Sequence, residues 1–424
     1  NNDKIETFKE KDKEKISLVN ENLANDSLRM LSFGFRYLDK IPHNYKFEDI
    51  EKDLIFVGML GMIDPPRKEV KNALALCKSA GIKSVMITGD HKNTAIAIAK
   101  ELNMIGKDYI AITGTELDEI SDEELACKID KIEIFTRVSA EHKLRIIKAW
   151  KKRNAIIAMT GDGVNDAPAL KEADIGIAMG ITGTDVTKEA ADIVITDDNF
   201  ASIVSAVEEG RNIYENIKKF IFYLLSCNIG ELFLLFFSSI LGWPIPLLPI
   251  QILWINLITD GLPALALGVE KAEPGLMFKS AEQFKKKFIN KKIIIKISIL
   301  GLMMSISALL IFGYILFIEK GTLIKARTMV FMVLSGSQLF HAFNCRSNTL
   351  SIFKLGFLTN KNLVYAVLGS ALLQIGIVCF GFTKSIFKVE SLNFIDWIFV
   401  IILSSISLWI VELSKMIKNK KTSF

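Results

Sequence analysis

The densest group of residues that could do chemistry lies in TGDGVNDAP, residues 160–168, directly after an apolar run. Asp162 and Asp166 offer carboxylate oxygens, which are ligands that Mg²⁺ prefers in proteins. Gly161 and Gly163 have no side chains, so their backbone N–H groups can approach an anion closely. The turn is therefore a candidate for a magnesium and phosphate site.

A second turn and a distant lysine have the same chemical character. Thr88 and Gly89, in the apolar run SVMITGD, could hold a phosphate by hydroxyl and amide, with Asp90 beside them. Lys143, within SAEHKLRIIKAW, could neutralise phosphoryl charge. Taken singly, a Gly-Asp turn is more often only a turn, and a helical lysine is more often solvated. Their order along the chain favours phosphoryl chemistry, and the lack of a GxxxxGK[ST] string excludes a P-loop enzyme.

Polar residues also lie inside the long apolar stretches of the C-terminal half: Asn228, Glu231, Asn256, Thr259 and Asp260. Carboxylates within a membrane span are candidates for a functional site. Gly261 and Pro263 weaken the helical hydrogen-bond ladder and could free carbonyl oxygens. These hard oxygen ligands suit a cation such as Ca²⁺. The alternative is hydrogen bonding between helices by protonated acids.

The phosphate-binding candidates need a scaffold, and residues 54–210 predict one. Four apolar runs end in Gly or Asp and predict buried strands: 84–90, 155–163, 174–180 and 192–198. Helical patterns separate them, which predicts an α/β domain with a mostly parallel sheet. Since ligands of such sheets bind at the carboxyl ends of the strands, both turns are expected at that edge.

The cation candidates need membrane helices. Six stretches qualify or nearly qualify as spans: 217–242, 247–269, 293–318, 327–344, 362–383 and 395–414. The fourth is the weakest because it contains Gln338 and His341. Lys and Arg concentrate in 271–292, in 346–361 and in the C-terminal tail, which predicts that the soluble half and the C-terminus are cytoplasmic.

Composition agrees with a soluble half followed by a membrane half. Of the 424 residues 50% are hydrophobic, and the long apolar stretches come after about residue 215. The net charge of +5 is modest, with basic residues near the membrane ends, and gives no case for a nucleic-acid partner. The five cysteines have no CxxC spacing and indicate neither a disulfide framework nor a zinc site.

The strings TGDGVNDAPAL (160–170), MITGD, GMIDPPR (61–67), NIGE and NLITDGLPALALG resemble the P-type cation-transporting ATPases, and most closely their calcium-pumping subgroup. The resemblance implies a haloacid-dehalogenase-like (Rossmann-like) α/β phosphorylation domain at 54–210, after the end of a nucleotide-binding domain at 1–53. It also implies an all-α transmembrane domain of six helices at 211–424, in a bacterial cell membrane.

The resemblance further implies roles for single residues. Asp162 would bind Mg²⁺, with Asn165 and Asp166 supporting the phosphate site. The residues expected at ATP are Arg29, Thr88, Gly89, Asp90, Arg137 and Lys143. The residues that match Ca²⁺ ligands are Asn228, Glu231, Asn256, Thr259 and Asp260, and Gln338 stands at a further ligand position.

Two departures from the family pattern matter. The family's nucleophilic aspartate lies in an Asp-Lys-Thr-Gly-Thr motif, and no such string occurs in this chain. We therefore expect the C-terminal portion of a pump, inactive without the N-terminal portion. Gln338 stands where animal reticulum pumps have Glu, so a second calcium site would carry less charge.

Three alternatives stay open from the sequence. A pump of this kind could transport Mn²⁺ or another divalent ion, since these also accept hard oxygen ligands. The chain could instead be a membrane-anchored phosphatase-like or phosphate-binding protein without transport. It could also be a non-catalytic membrane scaffold or regulatory fragment.

Overall fold

The computed structural model describes residues 7–25, 28–38, 51–62, 65–285 and 288–421, and every structural statement below concerns these residues. The chain forms two compact units. The first comprises Asn1–Val207 with Met277–Ala281, and the second comprises Glu208–Leu276 with Glu282–Phe424.

The first unit alternates short strands and helices. Its elements are α1 (Glu10–Asn25), β1 (Arg29–Phe35), β2 (Ile55–Met62), α2 (Lys68–Ser79), β3 (Met86–Thr88), α3 (Lys92–Glu101), β4 (Ile110–Thr113), α4 (Gly114–Asp118), α5 (Asp122–Lys128), β5 (Ile132–Thr136), α6 (Ala140–Lys152), β6 (Ala158–Gly161), α7 (Ala167–Glu172), β7 (Ile175–Met179), α8 (Asp185–Ala190) and β8 (Ile193–Ile195). Each of the four runs predicted to be strands contains one of these strands: β3, β6, β7 and β8.

The strands of this unit form three small sheets. β1 pairs antiparallel with β2, so the predicted boundary after residue 53 falls between two strands of one sheet. The other two sheets are entirely parallel, with the orders β3-β5-β4 and β6-β7-β8. The α/β class with mostly parallel strands is therefore confirmed. The parallel strands are divided between two hydrogen-bonded sheets instead of lying in a single one.

Buried side chains join these two parallel sheets. Ile87 of β3 packs against the core around Phe135 and also against the core around Met159. Helix α6 does the same, because Ile146 lies in the first core and Ile147 in the second. The start of α6 is defined by a side-chain cap at Ser139. Since α6 also carries Lys143, this packing determines where that lysine lies.

The second unit is helical. Helix α9 (Phe200–Ile240) begins in the first unit and belongs to the second from Glu208 onward. The other elements are α10 (Pro249–Trp254), a π-helical turn (Ile255–Thr259), α11 (Gly261–Gly268), α12 (Ala281–Lys285), α13 (Lys291–Gly313), a second π-helical turn (Tyr314–Ile318), α14 (Leu323–Asn344), α15 (Ile352–Leu355), α16 (Lys361–Cys379), α17 (Gly381–Phe387) and α18 (Phe394–Lys421).

Within the described residues, five helices are long and apolar enough to cross a membrane: Phe200–Ile240, Pro249–Gly268, Lys291–Ile318, Lys361–Cys379 and Phe394–Ile417. The predicted span 327–344 lies in α14 and is not one of the five, so the count of six is not confirmed. Helix α14 carries polar residues such as Gln338 and His341, which are fully buried. Buried Met329 and Phe331 place α14 in the core of the unit.

Candidate functional site

The carboxyl end of β6 forms the first candidate site. Asp166 is buried, and its carboxylate makes an ion pair with Lys143, which α6 supplies. The same carboxylate accepts a hydrogen bond of 3.2 Å from the N–H of Gly163. A Cβ at residue 161 would lie 2.7 Å from Cγ of Asp166, so the close approach requires Gly161. The structure therefore brings the predicted Lys143 and Asp166 together.

Asp162 lies on the same turn but faces solvent, as does Asn165. The backbone oxygen of Asp162 accepts hydrogen bonds from the N–H of Thr184, at 3.0 Å, and from the hydroxyl of Thr187, at 3.2 Å. Among the described residues, none donates a hydrogen bond to its carboxylate. These hydrogen bonds fix the backbone of Asp162 and leave its exposed carboxylate able to bind Mg²⁺.

The carboxyl edge of the other parallel sheet forms a row of threonines. In the strand register Thr88 lies beside Thr136, and Thr136 lies beside Thr113. Asp90 makes two hydrogen bonds with the Thr88 hydroxyl of this row. Its N–H donates to that hydroxyl at 3.1 Å, and its carboxylate accepts from it at 3.0 Å. Arg137, directly after the row, is exposed and has a left-handed backbone with φ of 51°.

The sequence reasoning missed two of these threonines, although a signal was present. The strings VMITG, IAITG and EIFTR each end an apolar run in Thr, at residues 88, 113 and 136. Parallel strands align such ends at one edge. A search for repeated strand endings would have found Thr113 and Thr136.

Asp198, also missed, organises the loop after β7. Its carboxylate accepts hydrogen bonds from the N–H of Ile181 at 3.0 Å and from the N–H and hydroxyl of Thr182 at 2.7 and 2.8 Å. Desolvation alone would raise the pKa of Asp198, but these hydrogen bonds outweigh it and lower the pKa to about 2. Ionised Asp198 therefore connects the segment after β8 to the loop after β7.

Polar side chains in the second unit form the second candidate site. Glu231 on α9 is buried, and its two carboxylate oxygens accept from the amides of Asn256, at 3.2 Å, and Gln338, at 3.0 Å. Three helical segments that are far apart in sequence thus meet at one carboxylate. Asp260 follows the π-helical turn that carries Asn256 and accepts from the Tyr223 hydroxyl at 3.1 Å.

Three buried side-chain oxygens of the π-helical turn, Asp260 and α14 have no hydrogen-bond partner among the described residues: Thr259 Oγ1, Asp260 Oδ2 and Gln338 Oε1. An unpaired buried polar oxygen is costly in apolar surroundings, and a cation ligated by oxygen would satisfy it. Within the described residues, no group of three or more His, Cys, Asp or Glu side chains forms a metal cluster. The candidate ligands are the carboxylates of Glu231 and Asp260 together with neutral side-chain oxygens, and this combination suits a hard cation.

Two predicted site residues stand apart. Asn228 is exposed, and its amide donates to the Leu224 carbonyl of its own helix at 2.9 Å instead of joining Glu231. Arg29 begins β1, but its side chain lies outside the described part of the chain. The roles assigned from sequence to these and the other site residues stay predictions.

Comparison with known proteins places both units. Residues 15–174 match the haloacid dehalogenase-like hydrolase family, and residues 244–417 match the family described as cation transporting ATPase, C-terminus. Calcium-transporting ATPase 1 of Bacillus cereus is 50% identical over 432 residues, covering 99% of this chain and 48% of the relative. The calcium-transporting ATPase of Bacillus subtilis is 44% identical, covering 97% and 46%.

A mammalian protein is also similar. The calcium-transporting ATPase type 2C member 1 of Mus musculus is 41% identical over 370 residues, covering 87% of this chain and 40% of the relative. The chain spans about half the length of the relatives that it matches.

Proposed function

Because the chain belongs to the P-type cation-transporting ATPases and is an integral membrane protein, we propose that it is the C-terminal part of an ATP-driven pump that exports Ca²⁺. In this proposal ATP phosphorylates an aspartate, and the formation and hydrolysis of the aspartyl-phosphate drive cation movement through the second unit.

The observation that carries the proposal is the buried polar cluster around Glu231. A carboxylate within a membrane helix is costly unless it has partners or a function. Here Glu231 has two amide partners, while Asp260 keeps one oxygen without a partner. These groups lie on α9, on α14 and around a π-helical turn, a local geometry that is frequent at functional sites. A bound Ca²⁺ would satisfy the free oxygens.

The first unit would perform the phosphoryl chemistry. Asp162 would hold Mg²⁺, which when bound neutralises charge on the phosphoryl group. Lys143, held in place by Asp166, would add a fixed positive charge at the same turn. Thr88, Gly89 and Asp90, with Arg137 and Arg29, would contact the phosphates and nucleotide of ATP. Asn165 would support the phosphate site.

The nucleophilic aspartate would come from an N-terminal portion of the same pump. The chain contains no Asp-Lys-Thr-Gly-Thr string, and the relatives are about twice as long as the matched segment. Residues 1–53 would complete a nucleotide-binding domain, 54–210 would form the phosphorylation domain and 211–424 the transmembrane domain.

In the membrane we propose six spans, with α14 as the fourth. Its fully buried Gln338 and His341 explain a low hydropathy in a helix that neighbouring helices enclose. The protein would lie in a bacterial cell membrane with its first unit and C-terminus in the cytoplasm, since Lys and Arg concentrate on that side. Gln338 is neutral, which supports a single site of high charge at Glu231 and Asp260.

Calcium-stimulated ATP hydrolysis by the complete pump, meaning this chain joined to the N-terminal portion that the proposal requires, tests the function. Asp260→Asn removes a ligand charge and should weaken the apparent Ca²⁺ affinity at least about tenfold, or roughly 1.4 kcal/mol. Asp396→Asn is a matched control, because Asp396 is a buried carboxylate of the same unit that pairs with Lys325 at 3.1 Å.

Replacement of Ca²⁺ by Mn²⁺ in the same assay identifies the transported ion. Stronger stimulation by Mn²⁺ would reassign the pump to that ion. Turnover that neither ion stimulates, and that Asp260→Asn leaves unchanged, would refute the transport proposal and favour a phosphatase.

A further inference from the structure

The π-helical turn Ile255–Thr259 departs from α-helical hydrogen-bond spacing shortly before a proline. In this turn the N–H of Asp260 donates to the oxygen of Ile255, five residues earlier, at 2.9 Å. The same spacing would pair the oxygen of Ile258 with the N–H of residue 263. That residue is Pro263, which has no N–H. At this spacing, a donor for the Ile258 carbonyl would have to come from another element.

Helix α16 supplies that partner. The hydroxyl of Ser370, which is fully buried, donates to the Ile258 oxygen at 3.2 Å. One helical turn later, the buried Gln374 accepts a hydrogen bond of 2.9 Å from the indole N–H of Trp254. Trp254 ends α10 directly before the π-helical turn. Residues four apart share one helix face, so a single face of α16 contacts both the residue before the turn and the fourth residue of the turn.

We propose that Ser370 and Gln374 are positioning residues that hold this turn in the shape that binds the cation. The inference rests on the proposed function, because it concerns the same cluster. A π-helical turn is rare and occurs mostly as a single turn inside an α-helix, frequently at a functional site. If the turn relaxed to α-helical spacing, the side chains of Asn256 and Thr259 would rotate relative to Asp260.

Neither positioning residue belongs to the cluster itself. The Ser370 hydroxyl donates to a backbone carbonyl, and the Gln374 side chain contacts Trp254 and the sulfur of Met332. Their effect would therefore be on affinity and ion preference, through the geometry of Asn256 and Thr259. A role in helix packing alone would instead lower stability without changing the apparent Ca²⁺ affinity selectively.

The test measures ATP hydrolysis against Ca²⁺ and Mn²⁺ concentration in the complete pump. We expect Ser370→Ala to lower the apparent Ca²⁺ affinity about threefold, in line with hydrogen bonds between membrane helices, and to change the Ca²⁺ to Mn²⁺ preference, with the maximal rate retained. Ser370→Thr keeps the hydroxyl and should restore the affinity. Gln374→Leu should act in the same direction as Ser370→Ala.

Ser405→Ala is the matched control, because its hydroxyl donates to the Ile402 carbonyl of its own helix at 3.0 Å. Combining Ser370→Ala with Pro263→Ala tests whether Ser370 acts through the Ile258 carbonyl. Pro263→Ala adds an N–H donor near the turn, so in that background Ser370→Ala should cause no further loss of affinity. This coupling would not arise if the serine only stabilised packing.

The possible outcomes separate the two proposals. Suppose that turnover depends on Ca²⁺ and that Asp260→Asn weakens it, but that Ser370→Ala and Ser405→Ala have equal apparent Ca²⁺ affinities. The positioning role would then be overturned, and the proposed pump function would stand. Ser370→Ala that lowers only the melting temperature would overturn it as well. Turnover independent of any cation in the wild type would overturn both proposals.

Discussion

At the scale of single residues, Asp198 shows how one carboxylate organises a loop. Its backbone is left-handed, with φ of 47°, a conformation that Asp and Asn adopt more readily than most residues. Three donors from Ile181 and Thr182 favour the ionised form over the desolvation that opposes it, so the pKa falls to about 2. The ordinary value is 3.8. Ionised Asp198 therefore stabilises the folded state.

The sign of the pH dependence follows from that shift. A carboxyl group with a lowered folded-state pKa stabilises the protein above its ordinary pKa, and the contribution disappears as pH falls toward the folded value. We expect the melting temperature of Asp198→Asn to lie below that of the wild type above about pH 4, with the gap closing between about pH 4 and pH 2. Asn keeps the backbone preference and removes the charge.

Thermal unfolding followed by circular dichroism in detergent measures this gap. Asp108→Asn is the control, since it removes an exposed carboxylate of the same unit. A gap between Asp198→Asn and the wild type that stays constant down to pH 2 would show that the carboxylate charge is not the source of the stabilisation.

The success of sequence reasoning also differs from residue to residue. Lys143 and Asp166 were predicted to serve one site, and they form an ion pair because α6 packs across both parallel sheets. Asn228 was predicted to be a Ca²⁺ ligand together with Glu231, yet its side chain is exposed. Helical spacing gives the direction of a side chain but does not specify which element lies opposite. That information belongs to the tertiary packing.

At the scale of elements, the same limit explains the membrane helices. Gly261 and Pro263 predicted a weakened helical ladder with freed carbonyls. The structure has a π-helical turn shortly before Gly261, and the Ile258 oxygen accepts a hydrogen bond from another helix. The donor, Ser370, lies 112 residues away in sequence, so no local pattern could identify it. Helix α14 was the weakest predicted span because its polar groups face other helices, which hydropathy cannot detect.

A buried ion pair joins the loops that follow α11 and α14. Arg346 donates two hydrogen bonds of 2.9 Å to the carboxylate of Glu270, one to each oxygen, and Asn360 donates to the same carboxylate at 2.8 Å. Arg346 also donates to the Gly356 carbonyl at 2.8 Å. A single guanidinium therefore connects three segments of the second unit.

Arg346→Met should be strongly destabilising, because it leaves the Glu270 carboxylate buried without its cation. Breaking a buried pair in this way costs about 3–5 kcal/mol. Thermal unfolding in detergent should show a lower melting temperature than for Arg327→Met, since Arg327 is only half-buried and its Nε donates to one carbonyl, Ile245. Equal melting temperatures for the two variants would mean that the pair contributes little. The variant Glu270→Gln/Arg346→Met should recover part of the loss by removing the unpaired charge.

At the scale of the whole molecule, the two units carry different chemistry and have separate cores. The first contains an α/β scaffold with carboxylates and threonines at strand ends, and the second contains carboxylates buried among helices. In the proposed pump a change of conformation would link the two units, and such a linkage is a coupling free energy between two sites. ATP is the proposed source of energy, and its reaction with the protein can be tested directly by phosphorylation.

The last prediction is that this chain alone forms no aspartyl-phosphate. Asp166 is paired with Lys143 and accepts from Gly163, so it is occupied as a structural anion. Asp162 is exposed, and we assign it to Mg²⁺. Incubation of the purified chain with radiolabelled ATP, Mg²⁺ and Ca²⁺ should leave it unlabelled. A fusion to the N-terminal half of the Bacillus cereus relative should become labelled, and Lys143→Met should lower that labelling at least about tenfold, because a fixed cation at the phosphoryl group is lost. Acid-stable label on the chain alone, mapped to Asp162 or Asp166, would show instead that the nucleophile lies within these residues.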